Sequence, residues 1–175
     1  MKQSKKIALA GMMCALAVVI MSMGGMIPLA TFCCPVLASL ALIPVFVEYG
    51  KKAGLGAWIA ISALSLMLCP DKEAALLMAF LGHYPVIKWQ LEKIRKAPLR
   101  LLAKLGIFNF CVAAMYLSAI FLLRMDRLMQ EYLEAGMALT IATLVLGNIT
   151  MIVYDRMLMV MTVLYLKRLR GRLMK

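Results

Sequence analysis

Long uncharged stretches alternate with short charged segments along the whole chain. The first uncharged stretch covers residues 7–47, about twice the roughly 20 residues that one helix needs to cross a bilayer. Pro28 and Pro35 lie near its middle, and proline interrupts helical hydrogen bonding. This pattern therefore predicts two spans, at about residues 7–27 and 36–48, joined by an uncharged reversal between the two prolines.

The remaining apolar stretches predict four further membrane spans. A short charged turn around Lys51 and Lys52 precedes them. Residues 74–87 are so short that, by length alone, they could form a re-entrant segment. Residues 124–134 have the spacing of a short amphipathic helix on the outer surface, and the last apolar stretch predicts one long helix or a span with a kinked extension. The four spans are predicted at about residues 53–69, 74–89, 105–123 and 135–166.

Lysine and arginine are concentrated in the segments that would lie on one side of the membrane. Basic residues close to span ends stay on the cytoplasmic side. The predicted inner segments carry three, two, six and five of these residues, and the outer segments carry zero, one and two. If residues 74–89 did not cross, the basic stretch 88–104 would lie outside, against this rule. We therefore predict an all-α, six-helix transmembrane bundle in the cell (plasma) membrane, with both termini cytoplasmic and residues 1–175 forming one domain.

Composition supports membrane insertion and limits the partners. Hydrophobic residues make up 65% of the 175 positions and the mean hydropathy is +0.92, well above the values of soluble domains. The net charge of +12 comes from residues beside the predicted spans, which lack a surface for reading nucleic acid. Anionic lipid headgroups are therefore the predicted partner of the basic segments, and nucleic acid is not.

Motifs for catalysis, cofactors and metals are missing from the sequence. It contains no GxxxxGK[ST] loop, so this chain is not predicted to hydrolyse ATP, and it contains neither GxSxG nor HExxH. One histidine and five cysteines without CxxC spacing predict no metal site and no structural disulfide. Asp155 is the one acidic residue inside an apolar run, and its neighbour Arg156 favours a salt-bridged or interfacial structural pair over a proton relay. No enzyme, catalytic residue or cofactor is predicted.

Polar groups inside an apolar span must find a hydrogen-bond partner or bind a ligand. In the fourth predicted span, Pro85 removes a backbone donor beside His83 and Tyr84, which predicts a kink. The sequence leaves open whether this kink only packs against its neighbours or also contacts a ligand. The other polar groups at membrane depth are predicted to hydrogen-bond between helices, and they are Asn109, Asn148 and Thr150.

Two further segments have an equally open interpretation. The reversal between the first two spans contains Thr31 and Phe32 and could either cap a pocket that opens outward or form a tight connection. Glu73 could belong to such a pocket or simply stabilise the start of the fourth span. Small residues on span 1 allow another helix to approach closely, inside the bundle or in a separate membrane protein. They form two small-xxx-small pairs, Gly11 with Ala15 and Ala10 with Cys14.

Several of these features together resemble the S components of energy-coupling factor transporters. They are a basic amino terminus, a first span reading KKIALAGMMCALAVVI, an uncharged proline-bounded outer loop, a glycine-containing inner turn and six spans with both ends inside. In that family a small membrane protein captures a vitamin or related micronutrient from outside. It then associates with a transmembrane coupling subunit and two ATPases, which supply the nucleotide motifs that this chain lacks.

The resemblance also implies where the functional residues lie. The family's AxxxA docking pattern corresponds to a relaxed Gly11-Met-Met-Cys-Ala15 in this chain, so partner docking is expected at Ala10, Gly11, Cys14 and Ala15. A substrate pocket is expected between the first outer loop and the outer halves of spans 4 to 6. Its expected lining residues are Thr31, Phe32, Glu73, His83, Tyr84, Tyr116 and Asn148.

Two other functions remain open at the level of sequence. One is a small multi-spanning scaffold or assembly protein without a ligand, and the other is an independent secondary transporter or channel that acts as a homodimer. The metal-uptake relatives of the S components use a histidine close to the amino terminus. Met1-Lys2-Gln3 lacks it, so neither nickel nor cobalt is the expected substrate.

Overall fold

The computed structural model describes the backbone of residues 3–26, 30–121 and 126–170. Within these ranges the chain is helical apart from short connections and contains no strand, which confirms the all-α class. A short 3₁₀ turn follows the first helix, and a π-helical turn follows the last. The helices are α1 (Gln3–Ser22), α2 (Ala30–Leu40), α3 (Leu42–Leu68), α4 (Lys72–Leu81), α5 (Tyr84–Leu91), α6 (Ala97–Phe121) and α7 (Asp126–Leu164).

Among the described residues, three helical segments are long and apolar enough to cross a membrane. Two shorter apolar helices, Ile7–Ser22 and Thr31–Leu40, accompany them. These lengths and compositions support a membrane-embedded protein. The three long segments are Leu42–Leu68, Ala97–Ile120 and Ile141–Arg168.

Helix α3 is interrupted at Gly50, as the predicted charged turn requires. Gly50 has φ 81° and ψ −177°, a left-handed backbone conformation that residues with a Cβ rarely adopt. The interruption lies directly before Lys51 and Lys52. Ala41, between α2 and α3, keeps a helical backbone (φ −64°, ψ −19°), so residues 42–49 follow α2 without a reversal, whereas residues 51–68 form a separate apolar segment.

The predicted kink in the fourth apolar segment is also confirmed. Helix α4 ends at Leu81 and α5 starts at Tyr84, with Pro85 in the first turn of α5, where the missing N–H costs least. The amide of Gly82 still donates to the carbonyl of Met78 at 2.9 Å. A Cβ on Gly82 would lie only 2.4 Å from that carbonyl oxygen, so glycine is needed for the close approach.

The predicted reversal between the two prolines is partly wrong. Helix α2 already begins at Ala30, so Thr31 and Phe32 are helical and Pro35 lies inside the helix. Proline in the second turn removes only one backbone hydrogen bond, and an apolar helix packed in a bundle tolerates that loss. Residues 27–29, which include the first of the two prolines, lie outside the described residues.

Helices α6 and α7 both extend beyond the predicted spans. Helix α6 begins at Ala97 instead of near residue 105, because the charges on its first turns have partners within the protein. Helix α7 is continuous from Asp126, so residues 126–134 do not form the separate surface helix that the sequence predicted. Residues 122–125 lie outside the described residues. The expectation of one long final helix is confirmed.

Three apolar clusters hold the helices together. The largest joins α1, α2, α3 and α4, and its small members Ala17 and Ala38 let the helix axes approach closely. A second joins α3, α5 and α7 around Tyr84 and Tyr154. A third joins α4 and α6 around Met115.

Candidate functional site

A cluster of charged side chains lies where α5, α6 and α7 meet. Asp155 on α7 receives Lys88 from α5, with Nζ 2.7 Å from Oδ1, and Lys104 from α6, with Nζ 2.8 Å from Oδ2. The side chains of Lys88 and Lys104 are 1% and 8% exposed. A charge removed from water to this degree is costly unless it is paired. Asp155 therefore compensates two buried cations at once.

The cluster continues to the connection between α5 and α6. Nζ of Lys104 lies 2.5 Å from Oε1 of Glu92, at the carboxyl end of α5, and Nη1 of Arg100 lies 3.4 Å from Oε2. Lys104 thus bridges the carboxylates of Glu92 and Asp155. We refer to these five side chains as the charged cluster: Lys88, Glu92, Arg100, Lys104 and Asp155.

Tyrosines connect the charged cluster to the second helix. The Tyr84 hydroxyl donates to Oδ1 of Asp155 at 2.6 Å, and its ring lies 5.8 Å from that of Tyr154. The Tyr154 hydroxyl in turn shares a 2.5 Å hydrogen bond with Ser39 on α2. Side chains of four helices are therefore connected in a series of contacts that runs from Ser39 to the Asp155 carboxylate.

The predicted pairing of Asp155 with Arg156 is wrong. Consecutive helical residues point about 100° apart, so the two side chains diverge and Asp155 finds its partners on α5 and α6 instead. Arg156 is exposed and forms no ion pair within the part of the chain that the structure describes. The structural role predicted for Asp155 is retained with different partners.

A cavity of about 270 Å³ opens beside the charged cluster, between α6 and α7. It begins at the first residue of α6 and follows that helix for about two turns. Charged and apolar residues both line it. The charged ones are Glu92, Arg100, Lys104, Asp155 and Arg156, and the apolar ones include Ala97, Leu101, Leu105, Ile152 and Met159.

The kink between α4 and α5 packs tightly against α3. The His83 ring meets the Trp58 ring edge-on, with centroids 5.3 Å apart. Trp58 Nε1 donates to the carbonyl of Met78 at 3.1 Å, and Ser62 Oγ reaches the same oxygen at 3.5 Å. Nδ1 of His83 is buried and has no hydrogen-bond partner among the described residues. The kink therefore packs against its neighbours, and contact with a ligand stays a prediction.

Asp71 connects Thr31 with the backbone of Glu73 at the opposite end of the bundle. The Thr31 hydroxyl donates to Oδ2 of Asp71 at 2.7 Å, while Oδ1 of Asp71 accepts the amides of Glu73 and Ala74 at 3.0 and 3.1 Å. Asp71 therefore caps α4 and joins its start to α2. Phe32 follows Thr31 and is 58% exposed. Sequence reasoning missed Asp71, although an aspartate directly before an apolar helix is a recognised capping signal.

The other predicted pocket residues are not gathered at this end. Tyr84 belongs to the charged cluster, and Tyr116 packs against the third apolar cluster. Asn148 exchanges two hydrogen bonds with Asn109, at 2.8 and 3.3 Å, which confirms the predicted contact between helices. Thr150 instead donates to Leu146 of its own helix at 2.9 Å. The seven predicted residues thus lie in several separate environments.

The two small-residue pairs of α1 face different surroundings. Ala10 and Cys14 pack against the largest apolar cluster, with Cys14 Sγ 3.9 Å from the carbonyl oxygen of Ala57. Gly11 and Ala15 are exposed, and a Cβ on Gly11 would meet nothing within 4 Å. The exposed side of α1 forms a continuous strip that we call the free face of α1, namely Gly11, Met12, Ala15, Leu16 and Val19.

Sequence reasoning did not find the charged cluster, because Lys88, Arg100 and Lys104 were counted as basic residues at span ends. The detectable signal was Asp155, an acidic residue inside an apolar run, which must have a partner. No protein-family model, curated protein or solved structure matches the chain. The functional argument therefore rests on the residues and their geometry.

Proposed function

We propose that this chain is the substrate-capturing membrane subunit of an ATP-driven importer of the energy-coupling factor type. It binds a vitamin or related micronutrient from outside, and separate coupling and ATPase subunits supply the energy. The observation that carries this proposal is the free face of α1. Gly11 and Ala15 stay uncovered there, while the neighbouring Ala10 and Cys14 are used inside the bundle.

An uncovered small-residue face suits the close approach of a partner helix. Association between helices in a membrane depends on packing, because lipid tails are as apolar as the helix itself. Gly11 and Ala15 lie one turn apart, and large apolar side chains at Met12, Leu16 and Val19 flank them. This combination of a shallow groove with bulky sides gives a second helix both room and contact area.

The helix order supports six antiparallel spans. The first span is α1, the second is α2 together with residues 42–49, and the third is residues 51–68. The fourth is α4 together with α5, the fifth is α6 and the sixth is α7. Contacts between the π-helical turn after α7 and the Gly50 interruption favour placing these two on one side. Arg170 Nε lies 3.0 Å from Oε1 of Glu48, and the Tyr165 hydroxyl donates to the same oxygen at 3.4 Å. The basic residues around this end make it the cytoplasmic side of the proposed topology.

Substrate capture then begins at the opposite, outer end. Thr31, Asp71 and Glu73 provide polar groups there, and Phe32 provides an exposed aromatic face. Tyr84 and Asn148, which the resemblance also implied as lining residues, instead have hydrogen-bond partners within the bundle.

Native mass spectrometry of the protein, purified from its own membranes in mild detergent, tests substrate capture. The proposal expects one small organic molecule per chain, which Phe32→Ala releases and the cytoplasmic control Lys51→Gln retains. A protein that carries no molecule after such a purification, or that forms homo-oligomers conducting ions in liposomes, would overturn the proposal.

A further inference from the structure

We propose that the cavity between α6 and α7 binds the phosphate group of an anionic phospholipid. This inference concerns the inner end of the bundle and does not depend on transport. It starts from Arg156, which lines the cavity, is exposed and has no ion pair among the residues that the structure describes. Because Arg156 lies in an apolar helix, an unpaired charge there is costly and favours a counter-ion.

The acidic side chains of the cavity do not provide that counter-ion. Asp155 is occupied by Lys88 and Lys104, and Glu92 is occupied by Lys104 and Arg100. With Arg156 included, there are four cations for two carboxylates. The cations are Lys88, Arg100, Lys104 and Arg156, and the carboxylates are Glu92 and Asp155. The excess positive charge lies next to the apolar surface of α6 and α7, and an anion from the membrane can reach it from that side.

The shape and lining of the cavity suit a lipid better than a small free anion. Leu101, Leu105, Ile152 and Met159 form its apolar wall, so a ligand with both charge and hydrocarbon matches the whole surface. Beyond Ile152, the exposed residues Ile149 and Val145 continue the same helical stripe towards the opposite end of α7. An acyl chain can follow this stripe while the phosphate stays at Arg156.

The position of the cavity along the helices also matches a headgroup. It starts at Ala97, directly after the connection that carries Lys93, Arg95 and Lys96, and Glu92 lies at the end of α5. The cavity is therefore reached from the helix ends, and a long arginine side chain extends towards the interface. Basic pockets between helices at this level are suited to acidic lipid headgroups.

Native mass spectrometry after reconstitution tests this site. The protein is exchanged into vesicles of phosphatidylcholine with and without phosphatidylglycerol, extracted in mild detergent and examined for retained lipid. We expect one phosphatidylglycerol per chain, and a loss of affinity of roughly fivefold for Arg156→Gln, from about 1 kcal/mol for each basic residue near a membrane surface. Arg100→Gln is expected to act in the same direction.

Lys51→Gln is the control, because it removes the same charge outside the cavity and at the same proposed membrane side. Gel filtration is used to check that Arg156→Gln remains folded, which we expect for an exposed residue without an ion pair among the described residues. The proposal is overturned if Lys51→Gln loses as much lipid as Arg156→Gln, or if Arg156→Gln retains phosphatidylglycerol fully. The proposal is also overturned if millimolar inorganic phosphate, added to the detergent-extracted protein, releases the bound phosphatidylglycerol completely. That result would assign the site to a small anion.

Discussion

Lys88 on α5 and Asp155 on α7 form a 2.7 Å ion pair although they are 67 residues apart in sequence. The lysine side chain is 1% exposed, so the pair lies in a medium where an unpaired charge is strongly unfavourable. Lys88 also donates to the backbone carbonyl of Asp155. This arrangement ties the last helix to the bundle and explains why an apolar span contains an acidic residue.

Asp155→Asn should be the most destabilising single change in the charged cluster. It leaves Lys88 and Lys104 without a full counter-charge, and breaking a buried pair in this way costs about 3 to 5 kcal/mol. We expect a clear decrease in the Tm of the detergent-solubilised protein. Lys51→Gln is the control, because it removes an exposed charge outside the charged cluster, and it should leave the Tm almost unchanged. Equal Tm values for Asp155→Asn and the unmodified chain would refute the proposed role of the pair.

Lys104→Met should lower stability more than Lys88→Met. Lys104 forms ion pairs with both Glu92 and Asp155, so Lys104→Met removes two ion pairs. Lys88→Met leaves Asp155 paired with Lys104 and places an apolar side chain of similar length in a buried position. Thermal unfolding followed by circular dichroism measures both variants. The reverse order would show that Lys88, rather than Lys104, is the centre of the cluster.

Gly82→Ala should destabilise the kink between α4 and α5. Its Cβ would lie 2.4 Å from the Met78 carbonyl oxygen, and the backbone must move to make room, at a cost of about 1 to 3 kcal/mol. Gly106→Ala on α6 is the matched control, because a Cβ there meets nothing within 4 Å. The Tm should fall for Gly82→Ala and stay level or rise for Gly106→Ala. A similar Tm for both variants would contradict this packing.

Single-cysteine labelling should separate the two ends of the bundle. We expect a membrane-impermeant maleimide to label Pro70→Cys in intact cells, since Pro70 is exposed between α3 and α4 at the proposed outer end. Lys96→Cys, in the connection before α6, should react only after permeabilisation. The native cysteines are replaced by serine in both variants. Labelling of Lys96→Cys in intact cells would show that the topology is inverted or does not contain six spans.

Local signals in the sequence predict much of the fold. The charged segment between two apolar stretches predicted the interruption at Gly50, and Pro85 predicted the kink that the structure contains. Pro35 misled the prediction because one proline near the start of an apolar helix removes only a single hydrogen bond. Residue type alone cannot separate a tolerated proline from one that ends a helix.

The candidate sites were less predictable, because their contacts join distant segments. Lys104 meets Asp155 across 51 residues, and Thr31 meets Asp71 across 40. A hydropathy pattern records that each side chain is polar but not which helix it faces. The exposed position of Gly11 and the packed position of Cys14 likewise depend on how α1 is rotated against α3, which small residues on both sides of α1 leave undetermined.

Co-purification of tagged variants from native membranes tests the central claim most directly. The unmodified chain should recover a second membrane protein together with ATPases, and Gly11→Leu or Ala15→Leu should reduce that recovery about tenfold or more because bulk on the free face blocks close helix approach. Met12→Leu, on the same face without added bulk, should retain the partners. Ligand retention should stay intact in all three. Full recovery of the ATPases with both Gly11→Leu and Ala15→Leu, or none with the unmodified chain, would contradict the account.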